Sequence, residues 1–210
     1  MRSAGPRLNA TRQPGSAQAL GAVLVGGAST RFGSDKAAAR WNDGTLLDHA
    51  LRTLRDAGAT HLAYVGGRQR HGDSTAHHVA DDDAMAPCML RGVIAALRHA
   101  ETIRADRALI VACDVPLLTA DAAALVLSNL RDPEIDAAVA HAARDHWSCL
   151  AVRTRTVARL TEALARDERA VHRAMSHLRV ARVGVDEREL TNANDVATLR
   201  SISDASPPRG

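Results

Sequence analysis

The residues with the clearest chemical potential lie between Val23 and Lys36, in the stretch VLVGGASTRFGSDK. Lys36 is the sole lysine of the chain, so the other 26 of its 27 lysines and arginines are arginines. A lysine ammonium is a compact point charge on a flexible stem, whereas an arginine guanidinium is a planar fork. A sequence that keeps its one lysine here favours a close contact between Lys36 and a phosphate group. Chance survival of a surface lysine is the alternative.

The glycines of this stretch favour an anion-binding loop. Gly26, Gly27 and Gly33 permit backbone conformations that are closed to other residues. Loops of this kind can point several backbone N–H groups at one anion. The hydroxyl groups of Ser29 and Thr30 add further hydrogen-bond donors.

Two positive side chains complete the loop, because Arg31 and Lys36 both fall within it. Together with the glycines they predict a site for a triphosphate. The loop is not of the Walker A type, because Gly33 is followed by Ser34-Asp35-Lys36, and the dinucleotide pattern G-x-G-x-x-G is also missing from it. A generic glycine-rich turn is the alternative.

A second candidate is Asp114, which follows an apolar run and precedes Val115-Pro116. Magnesium ions in proteins usually take one or two carboxylates and complete their shell with phosphate oxygens and water. Asp114 is therefore a candidate magnesium ligand. The alternative is that it only initiates the following turn, which is ordinary chemistry for aspartate before proline.

Other kinds of site have little support in the sequence. The three cysteines, Cys88, Cys113 and Cys149, are widely spaced and form no C-x-x-C pair, so neither a zinc site nor a disulfide framework is indicated. His77 and His78 lie near Asp81 but lack the spacing of a zinc site. No Ser/His/Asp or Cys/His constellation is apparent.

The composition restricts the classes of protein to which the chain can belong. A hydrophobic fraction of 46% indicates a globular protein, and no apolar run is long enough to span a membrane. The net charge of +3 is mild and aromatic residues make up only 2%, which argues against a nucleic-acid-binding protein. A reducing cytoplasm is the expected location.

Apolar runs that suit buried strands alternate with helical patterns, which predicts an α/β protein with a mostly parallel sheet. Strands are predicted at 20–25, 61–65, 107–113, 136–141, 147–152 and 179–185. Helices are predicted from Thr45 to Gly58, at 90–100, from Thr119 or Asp121, at 154–166, at 170–178 and after Asn194 or Asp195. One domain is expected at 20–201, between a disordered tail at 1–19 and a flexible tail at 202–210. Ligands of open α/β sheets bind beyond the carboxyl ends of the strands, so the loops at Gly26 and Gly66 and the Asp114 carboxylate should share one edge.

The first motif resembles the L-A-G-G-x-S-x-R-M-G-x-D-K signature of nucleotidyltransferases with a glycosyltransferase-A-like fold, with Val25 and Phe32 at two positions that differ. Downstream, Cys113–Leu118 resembles the D-M-P-L-L motif and Leu190–Asp195 resembles an N-x-N segment. Gly92–Leu97 resembles the end of G-P-L-x-G-I, although Cys88-Met89 replaces the Gly-Pro. Within the superfamily the chain most resembles the molybdenum cofactor guanylyltransferases, from about residue 20 to residue 199. The resemblance implies a three-layer, Rossmann-like fold.

The resemblance also implies roles for individual residues. Lys36, Arg31 and Asp114 would be catalytic, and Asp114 would bind Mg²⁺. The nucleotide-binding residues would comprise these three and Leu24, Val25, Gly26, Gly27, Ala28, Ser29, Thr30, Gly33, Gly66 and Asp83. Asp83 is chosen from the run Asp81–Asp83, for which a solvated loop is the alternative. The acceptor side would be formed by Trp147, Arg173, Asn192 and Asn194.

The implied reaction is transfer of GMP from GTP to the terminal phosphate of molybdenum-molybdopterin, with release of pyrophosphate. The expected partners are GTP, the molybdopterin acceptor and a molybdenum enzyme that receives the product, with no nucleic acid and no membrane. Alternatives are the same fold acting on CTP and molybdopterin, on GTP and phospholactate, or on a sugar phosphate. A catalytically inactive nucleotide-binding module is a further alternative, to which the Cys88-Met89 departure gives some support.

Overall fold

A computed structural model describes residues 18–25, 35–69, 76–81 and 87–204 of the chain. Nine strands lie within these ranges: β1 Ala19–Leu24, β2 Arg40–Trp41, β3 Gly44–Thr45, β4 His61–Val65, β5 His77–Val79, β6 Arg107–Ala112, β7 Ala137–His141, β8 Asp145–Arg153 and β9 Val180–Gly184. Six α-helices accompany them in the described part: α1 Leu46–Asp56, α2 Met89–Thr102, α3 Ala120–Ser128, α4 Val157–Ala165, α5 Val171–Ala174 and α6 Val196–Asp204.

Seven strands form one sheet in the order β5-β4-β1-β6-β8-β7-β9, and β2 pairs with β3 in a separate small hairpin. Every neighbouring pair in the large sheet is parallel except the two pairs that include β8. The predicted mostly parallel α/β architecture is therefore confirmed. The sequence did not predict β5 or the β2–β3 hairpin, because runs of two or three residues are too short to show a strand periodicity.

Strand β1 lies inside the sheet, between β4 and β6, and all six of its residues are buried. Leu24 is in register with Val65 of β4 and with Ala112 of β6, so the three strands end together. Two further hydrogen bonds continue this alignment, from Val25 N to Val65 O at 3.0 Å and from Cys113 N to Leu24 O at 3.2 Å. The segments that follow the three strands therefore begin side by side at the carboxyl edge.

Helix α1 begins and ends where the sequence predicts. The Thr45 hydroxyl accepts a hydrogen bond from Asp48 N, and the Asp48 carboxylate accepts one from Thr45 N, which forms a capping box. Gly58 has φ of +97°, a conformation that glycine adopts readily and that ends the helix. One apolar face of α1 is buried, and Leu54 is completely inaccessible to solvent.

Helices cover both faces of the sheet, as expected for a three-layer fold. Helices α1 and α3 pack on one face, whereas α2, α4 and α5 pack on the other. The predicted helix at 170–178 is wrong in length, because α5 ends at Ala174 and the chain then turns with a hydrogen bond from Leu178 N to Met175 O. That turn buries Met175 and Leu178 in the core.

The C-terminal helix α6 runs to Asp204, three residues past the predicted domain end. Most of the predicted tail 1–19 and residues 205–210 lie outside the described ranges. No helix in the part of the chain that the structure describes is long and apolar enough to cross a membrane.

Candidate active site

Lys36 and Asp114 form an ion pair at the carboxyl edge of the sheet, with 3.0 Å between Lys36 Nζ and Asp114 Oδ2. Lys36 opens a short 3₁₀ helix, Lys36–Ala38, which Asp35 caps by accepting a hydrogen bond from Ala37 N at 3.1 Å. Asp114 follows β6. Both side chains are mostly buried, with 15% and 21% of their surfaces exposed. The fold thus brings together two of the three residues predicted to be catalytic.

The second carboxylate oxygen of Asp114 is not satisfied within the described ranges. Oδ1 is buried and has no hydrogen-bond partner there. A buried charged oxygen without a partner is costly, so a cation or donor from a ligand would stabilise it. The described residues contain no group of three or more potential metal ligands. A single carboxylate nevertheless fits Mg²⁺, because this ion accepts phosphate and water for the remaining positions.

The Asn192–Asn194 segment is attached directly to Asp114. The buried Ala193 donates a hydrogen bond from its backbone N to Asp114 O at 2.8 Å, while Asn192 and Asn194 on either side are exposed. Asp195 caps α6, because its Oδ1 accepts a hydrogen bond from Thr198 N at 2.7 Å. Of the two residues predicted as possible caps of this helix, Asn194 and Asp195, the structure shows Asp195 as the cap.

Gly66 also lies at this edge, directly after β4. Gly66 and Gly67 have φ of +81° and +65°, which favours glycine at both positions. Gly66 N donates to Val79 O at 2.9 Å, which joins the turn to β5. A Cβ on Gly67 would lie only 3.2 Å from Val25 Cγ2, so the turn closes tightly over the end of β1.

Leu24 and Val25 are also described residues of the predicted nucleotide loop, and Leu24 is buried at the end of β1. A Cβ on Gly92 of α2 would come within 3.1 Å of Leu24 Cδ2. The glycine at position 92 therefore allows α2 to approach the end of β1 closely, even though Cys88 and Met89 replace the Gly-Pro expected before it. The Leu24 side chain faces this helix.

Trp147 lies in an irregular part of β8. Val139 pairs with Leu150 but its neighbour Ala140 pairs with His146, so the intervening β8 residues bulge out of register. Because β8 runs antiparallel to β6 and Cys149 pairs with Val111, Trp147 lies toward the end of β6 that leads to Asp114. Trp147 is half-buried and packs against the core on the α2 side.

Arg173 is exposed in α5, which packs against α2 and α4. No contact in the described part of the chain joins Arg173 to Lys36 or Asp114, so its acceptor role stays a prediction. The remaining predicted residues lie outside the described ranges: Gly26, Gly27, Ala28, Ser29, Thr30, Arg31, Gly33 and Asp83.

One ion pair, and the two hydrogen bonds that join Thr119 to Glu189, were not expected from the sequence. Asp81 pairs with Arg91 of α2 at 3.1 Å, and the Arg91 side chain is only 4% exposed. Glu189 Oε2 accepts hydrogen bonds from Thr119 N at 2.9 Å and from Thr119 Oγ1 at 2.6 Å. The sequence signal for Arg91 was a charge on the apolar face of α2, whereas Glu189 lies 70 residues from its partner and gave no signal.

Cys149 lacks the electrostatics of an activated nucleophile. Burial raises the pKa of the Cys149 thiol to about 12, so this thiol stays protonated and is a poor nucleophile. Burial, followed by the nearby charge of Arg144, lowers the pKa of His146, which favours its neutral form. The chemistry that the described site supports is therefore charge stabilisation by Lys36 and Asp114.

Comparison with known proteins adds an independent line of evidence. The sequence profile of the MobA-like NTP transferase domain matches residues 21–183. A Xanthomonas euvesicatoria protein described as molybdenum cofactor guanylyltransferase is 30% identical over 179 residues, which cover 83% of this chain and 88% of that protein. An Opitutus terrae protein described as probable molybdenum cofactor guanylyltransferase is 36% identical over 100 residues, 48% of this chain and 50% of that protein.

Solved structures agree on the fold. Molybdopterin-guanine dinucleotide biosynthesis protein A from Archaeoglobus fulgidus superposes with a TM-score of 0.70 at 17% identity, over 89% of this chain and 97% of that one. A Mycobacterium tuberculosis protein solved in complex with manganese gives a TM-score of 0.65 at 18% identity, over 90% of this chain and 100% of that one.

Proposed function

We propose that this chain, which belongs to the MobA-like NTP transferase family, transfers GMP from GTP to the terminal phosphate of molybdenum-molybdopterin. The chain is a nucleotidyltransferase, and two curated relatives that it matches are described as a molybdenum cofactor guanylyltransferase and a probable one. In the proposed reaction a phosphate oxygen of the acceptor attacks the α-phosphorus of GTP. The bond from that phosphorus to the bridging oxygen breaks, and pyrophosphate leaves.

The observation that carries the proposal is the Lys36–Asp114 ion pair at the carboxyl edge. The acceptor phosphate is already anionic near neutral pH, so the reaction needs no general base. The main obstacle is the meeting of two anions and the growth of charge on pyrophosphate, which fixed positive charge opposes. We assign Lys36, together with Arg31 and the backbone amides of residues 26–30, to the triphosphate.

Asp114 is the residue that we propose holds Mg²⁺, because its buried Oδ1 lacks a hydrogen-bond partner in the described ranges. The ion, when bound, would supply positive charge to neutralise phosphate oxygens. Asp114 would hold the ion while its Oδ2 keeps the ion pair with Lys36, so one carboxylate would serve both cations. In this arrangement Asp114 fixes the position of Lys36 as well.

The acceptor is proposed to bind on the side of Asn192, Asn194 and Trp147. The hydrogen bond from Ala193 N to Asp114 O holds the segment of the two exposed asparagines beside Asp114, which supports this proposal. Their amides can both donate to and accept from polar groups of a pterin. Arg173 is proposed as an acceptor phosphate contact, and a molybdenum enzyme as recipient of the product in the cytoplasm.

The decisive experiment mixes the purified chain with Mg²⁺ and one acceptor, either molybdenum-molybdopterin, phospholactate or a sugar phosphate. Each acceptor is tested with GTP, CTP and ATP in parallel, and pyrophosphate release and product mass are measured. We expect release with GTP and a product that carries GMP. Release with CTP alone would replace the donor in this proposal by CTP, and release only with phospholactate or a sugar phosphate would replace the acceptor. An inactive binding module would bind GTP in calorimetry without releasing any pyrophosphate.

A further inference from the structure

A small apolar cluster at the carboxyl edge stands apart from the two main core clusters. It contains four buried residues: Trp41, Leu46, Ala193 and Leu199. Trp41 is only 3% exposed and Ala193 is fully buried. The cluster is built from two parts of the chain that are far apart in sequence, the Lys36–Leu46 segment and the Ala193–Leu199 segment.

We propose that this cluster, which we call the Trp41 cluster, positions Lys36 against Asp114, with Trp41 as its central positioning residue. The purpose assigned to it rests on the function proposed above, because that function gives Lys36 its role. The contacts within the cluster do not depend on that function. The two sides of the ion pair are attached to the cluster in different ways.

On the lysine side the attachment is short. The 3₁₀ helix Lys36–Ala38 is followed by Ala39, whose N donates to Lys36 O at 3.0 Å. Leu46 N donates to Ala39 O, also at 3.0 Å, and Ala39 packs against the Trp41 cluster. Trp41 follows two residues later in β2. The backbone that carries Lys36 is therefore fixed to the cluster at two points within ten residues of the lysine.

On the aspartate side the attachment is the buried Ala193. Its side chain belongs to the cluster, and its backbone N donates the 2.8 Å hydrogen bond to Asp114 O. Leu199, one helical turn into α6, is 6% exposed and holds the other end of this segment in the cluster. One set of apolar contacts thus links the backbone of Lys36, the backbone of Asp114 and the segment that carries Asn192 and Asn194.

The presence of a tryptophan at position 41 supports a positioning role for this residue. Trp41 Nε1 is buried and has no hydrogen-bond partner among the residues that the structure describes. A buried donor without an acceptor lowers stability, and phenylalanine would avoid this cost. The large indole is therefore explained by the space it fills between the two segments, where it also meets His49 edge-on with 6.2 Å between ring centroids.

A consequence is that α6, at the far end of the chain, controls the exposure of Lys36. Because Lys36 is the only lysine, an amine-reactive ester reports on it alone once the N-terminal amine is separated by peptide mass spectrometry. The reaction requires no substrate and no catalytic activity. The reporter therefore measures the coupling independently of the proposed reaction.

The test compares Leu199→Ala with Leu160→Ala. Leu160 lies in α4 within the core cluster on the α2 side and is fully buried, so it is a matched substitution outside the Trp41 cluster. Both variants are labelled with a succinimidyl acetate below their melting transitions. We expect Leu199→Ala to raise the acetylation rate of Lys36 about fivefold or more, because local opening exposes the amine more often, and Leu160→Ala to leave it near the wild-type rate.

Equal acetylation of Lys36 in the two variants would overturn the proposal. If Leu199→Ala does not fold, Trp41→Phe takes its place with the same expected direction. In the transfer assay we expect the Leu199→Ala protein to lose about tenfold in kcat/KM for GTP at unchanged far-UV circular dichroism, since small displacements of a catalytic group cost this much. If the wild-type protein transfers no GMP, the proposed function fails while the acetylation comparison still decides the coupling.

Discussion

The two ends of the central sheet use charged residues in different ways. At the amino edge, before β7, Asp136 accepts hydrogen bonds from Arg155 Nε and Nη2 at 3.1 and 2.9 Å and from Arg179 N at 3.2 Å. At the carboxyl edge, Asp114 pairs with Lys36 through Oδ2, while Oδ1 is buried without a hydrogen-bond partner in the described ranges. The carboxylate at the amino edge is satisfied by the protein, whereas the one at the carboxyl edge keeps capacity for a ligand.

This difference shows how an ion pair between a carboxylate and a basic side chain can be assigned either to stability or to function. Partial burial alone would raise the pKa of Asp136, but the hydrogen bonds from Arg179 N and Arg155 outweigh it and lower the pKa. A satisfied carboxylate of this kind holds β7 to the Arg155 and Arg179 segments and stabilises the fold. Asp114 is mostly buried and incompletely bonded, which favours a role in binding.

The largest expected effect is on catalysis by the Asp114→Asn variant. We expect GMP transfer to fall by about a thousandfold, because the amide cannot replace the negative charge that pairs with Lys36 and that we propose holds Mg²⁺. The measurement is steady-state pyrophosphate release at saturating Mg²⁺. The matched variant Asp136→Asn at the amino edge should retain activity, and full activity of Asp114→Asn would contradict the assignment.

Lys36→Arg should have the next largest effect, although it keeps the positive charge. We expect about a hundredfold loss of transfer activity, because the planar guanidinium cannot reproduce a compact ammonium contact with the triphosphate. The control is Arg40→Lys, the reverse exchange at an exposed position four residues along the chain, which should behave as wild type. Wild-type turnover of the Lys36→Arg variant would show that position 36 does not require a lysine.

A smaller effect, on stability alone, is expected at the amino edge. Asp136→Asn should lower the free energy of unfolding by about 1–2 kcal/mol, because the hydrogen bonds from the charged Arg155 guanidinium to a mostly buried carboxylate are weakened when its negative charge is removed. Urea denaturation at neutral pH measures this difference, with transfer activity assayed on the same preparation. A loss of activity without a loss of stability would reverse the comparison between the two edges.

The smallest effect is the pH dependence of that stability. The pKa of Asp136 in the folded state lies below its ordinary value of 3.8, so the folded state favours the ionised form. Its stabilising contribution is therefore complete above pH 3.8 and is lost as the pH falls through the lowered folded-state pKa. Melting temperatures measured on acidification should fall more steeply for the wild type than for Asp136→Asn, and parallel curves would show that Asp136 contributes nothing.

Much of the fold followed from local patterns. The short apolar run before Gly26 predicted β1 to within one residue, and Thr45 with Asp48 predicted the start of α1, because a capping box and an amphipathic face are both contained within a few residues. The length of α5 was predicted poorly, since burial of Met175 and Leu178 in the core decided where that helix ended. Such tertiary contacts override local propensity.

The sequence by itself determined the family, the α/β architecture and the residue types of the site. The reason is that the glycine-rich motif with Lys36, and the turn with Asp114, are each a short and contiguous stretch of the chain. Only the tertiary structure decided that Lys36 and Asp114, 78 residues apart, meet at 3.0 Å, and that Ala193 ties the Asn192–Asn194 segment to Asp114. It also assembled the Trp41 cluster from the segments that carry Lys36 and Ala193. The physical reason is that these contacts arise from strand order and from apolar packing between distant segments, and neither leaves a pattern within a local stretch of sequence.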